Sequence, residues 1–190
     1  MTSKKRVVLI TGAESGIGKS TSKIFLDNGY KVICTYLKNN NNKNTKDIEY
    51  HRIDITKNKD WENLALYIKK KFKKIDVLVN SAGVRLSGNL ETTSMSDWSY
   101  HLNNNVTGTF LACKYILPFL KKAKNSSIIN VASINSIRGA KNMLAYATSK
   151  SAIISFTASL ALDLTKNKIR VNAVAPGAIE KPMLASFKKD

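Results

Sequence analysis

Six short runs of apolar and β-branched residues recur along the 190-residue chain, and segments with a helical pattern separate most of them. Runs of about four to eight such residues are typical of strands. Their near-continuous apolar character indicates strands that are covered on both faces of a parallel sheet. The predicted strands are 6–11, 31–36, 50–55, 75–80, 127–133 and 169–175.

The segments between these strands carry apolar residues at helical spacing, which predicts helices over 17–28, 59–73, 97–123 and 143–165. Strands that alternate with helices form βαβ units. The predicted fold class is therefore α/β, with one doubly wound parallel sheet of six strands and helices on both faces. The sequence contains no internal repeat and no sign of a domain boundary, so residues 1–190 are predicted to form a single domain. The stretch 38-KNNNNKNTKD-47 is interpreted as a low-complexity loop.

The chain is strongly basic, with 31 Lys and Arg against 13 Asp and Glu, a net charge of +18. Such a charge can indicate a nucleic-acid partner. The lysines, however, lie in short runs mostly at the ends of predicted elements, arginine is scarce, and no nucleic-acid-binding motif is present. We therefore predict no specific nucleic-acid partner. The joint enrichment in Lys and Asn is attributed to an AT-rich coding bias rather than to a binding surface.

The two cysteines, Cys34 and Cys113, fall in an apolar strand and an apolar helix, and both are interpreted as small core residues. The first apolar run is far too short for a signal peptide. No segment approaches the roughly 18 apolar residues of a membrane-spanning helix. A cytosolic protein is expected, with no membrane partner and no metal site.

The first predicted strand leads directly into 11-TGAESGIG-18, and a helix follows. Glycines at 12, 16 and 18 suit a tight strand-to-helix turn in which the backbone approaches a pyrophosphate. The start of the helix then offers unpaired N–H groups and a positive dipole end. The spacing is GxxxGxG rather than GxGxxG, and the alternative is a glycine-rich turn that binds nothing.

Tyr146 and Lys150 lie four residues apart in 145-AYATSKSA-152 and therefore share one face of a predicted helix. A phenol beside an ammonium is either a proton-transfer pair or two side chains on a solvated helix. Further short motifs occur along the chain, namely 53-IDIT-56, 80-NSAG-83, 105-NVTGTF-110, Ser133 and 176-PGAI-179. In their order and spacing these motifs resemble the short-chain dehydrogenase/reductase family, from about residue 6 to residue 184. The subgroup with the most similar pattern contains 3-oxoacyl-carrier-protein reductases and sugar dehydrogenases.

The resemblance implies a Rossmann-like domain that binds NADP or NAD. It assigns cofactor-binding positions from the glycine-rich turn, the ends of the strands and the Tyr–Lys helix. These positions are Thr11, Gly12, Ser15, Gly16, Ile17, Gly18, Tyr36, Lys38, Asp54, Ile55, Asn80, Ala82, Gly83, Tyr146, Lys150, Pro176, Gly177 and Ile179.

Three residues bear on the choice between NADP and NAD. NAD-preferring relatives often end the second strand with an Asp that binds the ribose hydroxyls, where this chain has Tyr36. Lys38 lies just beyond and would meet a 2′-phosphate, although a solvated loop lysine explains it nearly as well. Ser15 stands where NADP-preferring relatives often carry Arg. The missing acid favours NADP slightly.

The resemblance also places the family's catalytic Asn, Ser, Tyr and Lys on Asn105, Ser133, Tyr146 and Lys150. It implies that Tyr146 gives or takes the proton as hydride moves between nicotinamide and a small carbonyl or alcohol substrate. Lys150 would stabilise the phenolate by its positive charge and hold the nicotinamide ribose. Ser133 would polarise the substrate oxygen, and Asn105 would keep a water in line with Lys150. The implied function is that of an NAD(P)(H)-dependent oxidoreductase.

Two departures from the family pattern stand out. Lys181, in 176-PGAIEKPM-183, replaces the usual Thr that holds the nicotinamide carboxamide. Relatives also continue beyond the position of Asp190 through a substrate-covering loop, helices and a seventh strand. We therefore expect a C-terminally truncated chain whose sixth strand is left as an open edge. The alternative to an active enzyme is an inactive remnant that keeps only the nucleotide-binding fold.

The resemblance finally implies an oligomer. Relatives commonly form dimers through their two long helices, which correspond to 97–123 and 143–165 in this chain. A homodimer through these helices is expected.

Overall fold

The strand that precedes the glycine-rich turn lies near the centre of a parallel sheet. The computed structural model describes residues 5–38 and 43–179. Within these residues six parallel strands are arranged in the order β3-β2-β1-β4-β5-β6. The strands are β1 (Val7–Thr11), β2 (Lys31–Tyr36), β3 (Ile48–Arg52), β4 (Val77–Asn80), β5 (Ser127–Val131) and β6 (Arg170–Val174).

All six predicted strands are present. Four are shorter than predicted by one or two residues at one or both ends, and the third is shifted along the chain. The third strand was predicted over 50–55, but β3 begins at Ile48 and ends at Arg52. Its register with β2 fixes this position, because Val32 pairs with Ile48 and Tyr36 with Arg52. Asp54 and Ile55 therefore lie in the loop that follows β3.

The helices are α1 (Gly16–Asp27), α2 (Asn58–Lys71), α3 (Met95–His101), α4 (Gly108–Leu120) and α5 (Leu144–Asp163). The helix predicted over 97–123 comprises α3, a π-helical segment at Leu102–Thr107, and α4. A π-helical turn adds one backbone residue to a helix and hardly changes its apolar pattern, so the periodicity of the residues does not reveal it. The segment carries Asn105, one of the four positions that the family resemblance assigns to catalysis.

Alternate side chains of the strands pack on opposite faces of the sheet. On one face Leu9, Ile33 and Leu78 pack with residues of α2, α4 and α5. On the other face Val8 and Val32 pack against α1. The strands from β1 to β3 are added towards one edge of the sheet, and those from β4 to β6 towards the other edge. Because crossover connections between parallel strands are right-handed, connections that run in opposite directions place their helices on opposite faces. The predicted doubly wound sheet with helices on both faces is confirmed.

The order of the strands reverses between β1 and β4, whose ends pair in register at Thr11 and Asn80. In open α/β sheets ligands bind outside the carboxyl ends of the strands at this switch point. The described part of the connection between β2 and β3 contains no helix, and 39–42 of the predicted loop lie outside the described residues. Within the described residues β6 lies at the edge of the sheet, beside β5.

Cys34 and Cys113 are both buried and unpaired with each other, as expected for small core residues. Burial raises the pKa of each thiol to about 12, so both remain uncharged at neutral pH. Among the helices of the described ranges, none has the length and apolar character needed to cross a membrane.

Candidate active site

A cavity of about 420 Å³ opens at the carboxyl ends of the central strands. Its walls come from the glycine-rich turn, the end of β2, the segment after β4, the end of β5, the start of α5 and the segment after β6. Most residues assigned from the sequence line it, namely Gly12, Ser15, Gly16, Ile17, Tyr36, Ile55, Ala82, Gly83, Ser133, Tyr146, Lys150, Pro176, Gly177 and Ile179. Segments that are distant in the sequence therefore meet in one cavity.

The glycine-rich turn depends on two close backbone approaches. A Cβ on Gly12 would lie 2.7 Å from the Cα of Ala82, and Gly12 has a φ of +64°, which disfavours other residues. A Cβ on Gly18 would lie 2.2 Å from the carbonyl oxygen of Gly12. Gly18 does not line the cavity but allows α1 to pack on the turn. The turn therefore presents backbone, rather than side chains, at this part of the wall.

Thr11 and Asn80 lie behind the wall instead of lining it. Thr11 is buried, and its Oγ1 accepts hydrogen bonds from the backbone N–H groups of Ser81 (3.1 Å) and Ala82 (3.0 Å). The Nδ2 of Asn80 donates to Oδ1 of Asn130 at 2.8 Å. These bonds hold the ends of β1, β4 and β5 together, so both residues position the lining backbone.

Asp54 and Lys38 are also absent from the cavity wall. Asp54 accepts hydrogen bonds at Oδ1 from the backbone N–H (2.9 Å) and the hydroxyl (2.7 Å) of Thr56. Its own N–H donates to Oδ2 of Asp60 at 2.7 Å. Asp54 thus closes the turn that leads into α2, between Ile53 and Ile55, which do line the cavity. Lys38 is exposed to solvent.

Tyr146 and Lys150 lie on the buried face of α5, one turn apart, and both line the cavity. The Nζ of Lys150 donates to the carbonyl oxygen of Val131 at the end of β5, at 2.7 Å. Burial of its ammonium lowers the pKa of Lys150 from its usual 10.5 to about 8. The Lys150 ammonium therefore loses its proton about one pH unit above neutrality.

Asn105 fixes the segment after β4 against α5. Its Oδ1 accepts from the backbone N–H of Val84 (2.8 Å), and its Nδ2 donates to the Val84 carbonyl (3.0 Å) and to Oγ of Ser149 (2.9 Å). A Cβ on Gly83 would lie 3.0 Å from Oδ1 of Asn105 and 3.3 Å from Nζ of Lys150. Asn105 does not line the cavity, and its amide is used within the protein. This geometry supports a positioning role.

Ser133 lies where β5 ends and caps the short turn that follows. Its Oγ accepts from the N–H of Asn135 (3.2 Å), and its N–H donates to Oγ of Ser136 (3.1 Å). This reciprocal arrangement fixes the Ser133 side chain. Its hydroxyl hydrogen is not used by this cap, so it can be donated into the cavity.

His101, which sequence reasoning did not single out, supports the wall behind Tyr146. It is buried, its ring meets the Tyr146 ring edge-on with centroids 6.4 Å apart, and its Nε2 accepts from the N–H of Leu86 at 2.9 Å. Its Nδ1 bonds to the Asp97 carbonyl at 2.7 Å, which assigns the proton to Nδ1. His101 thereby orients the segment after β4.

Two charged residues that sequence reasoning missed also line the cavity. Arg85 follows directly after the NSAG motif and lies in the same cavity as Tyr146. Burial lowers the pKa of its guanidinium, and the nearby Tyr146 phenol acts in the opposite direction. Glu14 lies inside the glycine-rich turn. Both residues could have been found from the sequence, because each is a charged residue within or directly beside a motif that was assigned to the cofactor site.

Comparison with known proteins gives consistent matches over nearly the whole chain. The model of the family described as short chain dehydrogenase matches residues 6–190. The 3-oxoacyl-[acyl-carrier-protein] reductase FabG of Thermotoga maritima is 36% identical over 186 residues, which cover 94% of this chain and 76% of that protein.

Solved structures with bound dinucleotides are similar to this one. ElxO with NADP bound has a TM-score of 0.86 and 32% identity, and the match covers 96% of this chain and 77% of ElxO. A short chain dehydrogenase from Leptospira borgpetersenii with bound NAD+ has a TM-score of 0.87 and 30% identity, covering 93% of this chain and 72% of that one. The similar structures therefore include one holding NADP and one holding NAD+.

Proposed function

Because the chain belongs to the short-chain dehydrogenase family and is thus an NAD(P)-dependent oxidoreductase, we propose that it interconverts a carbonyl and an alcohol with Tyr146 as the general acid and base. The observation that carries this proposal is the meeting of Ser133, Tyr146 and Lys150 on the wall of one cavity at the switch point of the sheet. The inward-facing half of α5 supplies two of these side chains, and the end of β5 supplies the third.

The residues of the cavity fit a dinucleotide. Gly12 lets the turn pack closely on Ala82, because a Cβ there would strike the Ala82 backbone, and this packing holds the turn in place at the start of α1, where a diphosphate would bind. The Ser15 side chain makes no cap hydrogen bond to α1, so it leaves the first N–H groups of that helix unused. Gly12, Gly16 and Ile17 would hold the diphosphate, and Tyr146 and Lys150 the nicotinamide ribose. When bound, the nicotinamide supplies or accepts the hydride.

Three side chains of the chain itself would manage the proton and the substrate oxygen. Ser133 is free to donate its hydroxyl hydrogen to the carbonyl oxygen, which polarises it. Tyr146 would transfer the proton of its own hydroxyl to that oxygen in the reduction, and remove a proton in the oxidation. Lys150 would stabilise the phenolate by its positive charge, and its bond to the Val131 carbonyl keeps the ammonium on the cavity side of α5.

Direct binding of NADH and NADPH to the purified chain tests this proposal first. We expect saturable binding of at least one dinucleotide, measured by nicotinamide fluorescence, followed by turnover with a panel of small carbonyl compounds. Gly12→Ala should abolish binding, because its Cβ would lie 2.7 Å from the Ala82 backbone. A folded wild-type chain that binds neither dinucleotide would favour the alternative of an inactive remnant. Lys181, the residue that most motivates this alternative, lies outside the described residues.

We also propose a homodimer through the helices predicted over 97–123 and 143–165. Phe110 on α4 and Leu162 on α5 support it, because their side chains are 46% and 78% exposed. Light scattering is expected to give twice the 21.0 kDa mass of one chain. Phe110→Asp should shift the mass towards the monomer, whereas Leu90→Asp, at an exposed position outside these helices, should not. A monomeric wild-type chain at high concentration would contradict this proposal.

The cytosolic location expected from the sequence stays a prediction.

A further inference from the structure

The carboxylate of Glu14 lies on the cavity wall beside the end of β2. It lines the cavity together with Thr35, Tyr36 and Leu37. The turn is tied to β2 at this point, because the N–H of Ala13 donates to the Thr35 carbonyl at 2.9 Å. The side chain of Glu14 continues this contact, and its Oε1 accepts from the N–H of Leu37 at 3.5 Å. Its position is therefore set by the junction between the turn and the strand.

The other carboxylate oxygen of Glu14, Oε2, is buried and has no hydrogen-bond partner among the described residues. Buried polar atoms are normally hydrogen-bonded, and an unpaired acceptor costs free energy. Oγ1 of Thr35, on the same wall, is likewise buried and without a partner within the described ranges. This end of the cavity therefore holds an acceptor and a hydroxyl that the described protein leaves unused.

No cation in the described ranges compensates the charge of Glu14. It takes part in none of the ion pairs found within 4.0 Å among these residues. Lys38 is the nearest lysine along the chain after β2, but it is exposed and does not line the cavity. A ligand group that meets Glu14 is therefore favoured if it donates hydrogen bonds and disfavoured if it is an anion.

Resting on the proposed function, we propose that Glu14 binds the adenosine ribose hydroxyls and makes the chain select NAD(H) over NADP(H). The 2′-hydroxyl and 3′-hydroxyl of NAD are donors that would pair with the Glu14 carboxylate, which lines the cavity and has unused acceptor capacity. NADP carries a 2′-phosphate with a charge of about −2 and only acceptor oxygens at neutral pH, so it meets repulsion at the same place. Glu14 of the glycine-rich turn thus takes the part that an Asp at the position of Tyr36 often plays in NAD-preferring relatives. This opposes the slight NADP preference expected from Tyr36 and Lys38.

Dissociation constants for NADH and NADPH, measured by fluorescence at one ionic strength, test this role. We expect the wild-type chain to bind NADH at least about tenfold more tightly than NADPH. Glu14→Gln keeps the size of the side chain and removes its charge, so it should reduce this ratio about tenfold, mainly through tighter NADPH binding. Glu14→Ser serves as a second variant. Glu91→Gln, which removes an exposed acid outside the cavity, should leave the ratio unchanged.

Several results would overturn the role of Glu14 while leaving the oxidoreductase proposal intact. They are tighter wild-type binding of NADPH than of NADH, or an unchanged ratio in both Glu14 variants when their thermal unfolding matches that of the wild type. A selective loss of NADPH affinity in Lys38→Ala would instead assign the discrimination to Lys38. Failure of the wild-type chain to bind either dinucleotide would contradict the oxidoreductase proposal itself.

Discussion

Tyr146→Phe is expected to lower turnover about 10²–10⁴-fold, because it removes the hydroxyl that gives or takes the proton. The affinity for the dinucleotide should change far less than turnover. Only one proposed ribose contact is lost, Lys150 and the glycine-rich turn still hold the dinucleotide, and the cavity keeps its shape around a residue that is only 8% exposed. The edge-on contact between this ring and His101 does not involve the hydroxyl. Single-turnover rates and dinucleotide dissociation constants of both proteins measure the two effects separately.

Tyr100→Phe is the matched control for this change. Tyr100 precedes the π-helical segment, its side chain is 45% exposed, and it does not line the cavity. Its substitution should leave turnover at the wild-type rate. A Tyr146→Phe variant that turns over as fast as the Tyr100→Phe variant would remove Tyr146 from the proposed role.

Lys150→Met is expected to stabilise the fold at pH 7 by about 1–3 kcal/mol while lowering turnover. Below pH 8 the ammonium is protonated in both the folded and unfolded chain, and the folded chain carries the full cost of burying it. Between about pH 8 and 10.5 the folded lysine has lost its proton and the unfolded one has not, so stability rises with pH. Loss of the hydrogen bond to Val131 offsets part of the gain.

Urea unfolding of wild type and Lys150→Met from pH 7 to pH 10.5 measures this difference. The advantage of the variant should be largest below about pH 8 and should shrink towards pH 10.5. Lys69→Met, at an exposed position on α2, should show no such pH dependence. A Lys150→Met variant that is less stable than wild type throughout this range would show that the buried ammonium is not a destabilising group.

The two expectations for Lys150 have one physical origin. In the proposed mechanism the Lys150 ammonium supports proton transfer, whereas its burial is unfavourable for the fold. The Lys150→Met variant should therefore lose activity and gain stability together.

Most elements of the fold and much of the cavity wall were predictable from the sequence. Apolar patterns that repeat within a few residues set the strands and helices, and the requirements of a tight turn set Gly12. The resemblance then identified residues such as Ser133 and Tyr146, which the structure brings to one cavity. Most strands and helices were predicted correctly because each depends on a short stretch of chain, whereas the roles of Ser133 and Tyr146 stay predictions.

Other assignments depended on contacts between segments that are far apart in the sequence. Thr11, Asn80 and Asp54 were predicted to bind cofactor, but their side chains are used to hold strand ends and turns behind the wall. Asn105 lies in a π-helical segment and bonds to Val84 and Ser149. Which polar atoms are consumed inside the protein depends on tertiary register, and no local pattern records it.

The succession of strands and helices, the glycine-rich turn and the Tyr146–Lys150 spacing can be read from the amino-acid sequence, because they follow from local backbone and periodicity rules. By contrast, the contact of Glu14 with the end of β2, its unpaired oxygen, and the burial that lowers the pKa of Lys150 to about 8 depend on how distant segments pack. Burial and hydrogen-bond satisfaction are properties of the assembled environment, so they arise only when distant segments pack together.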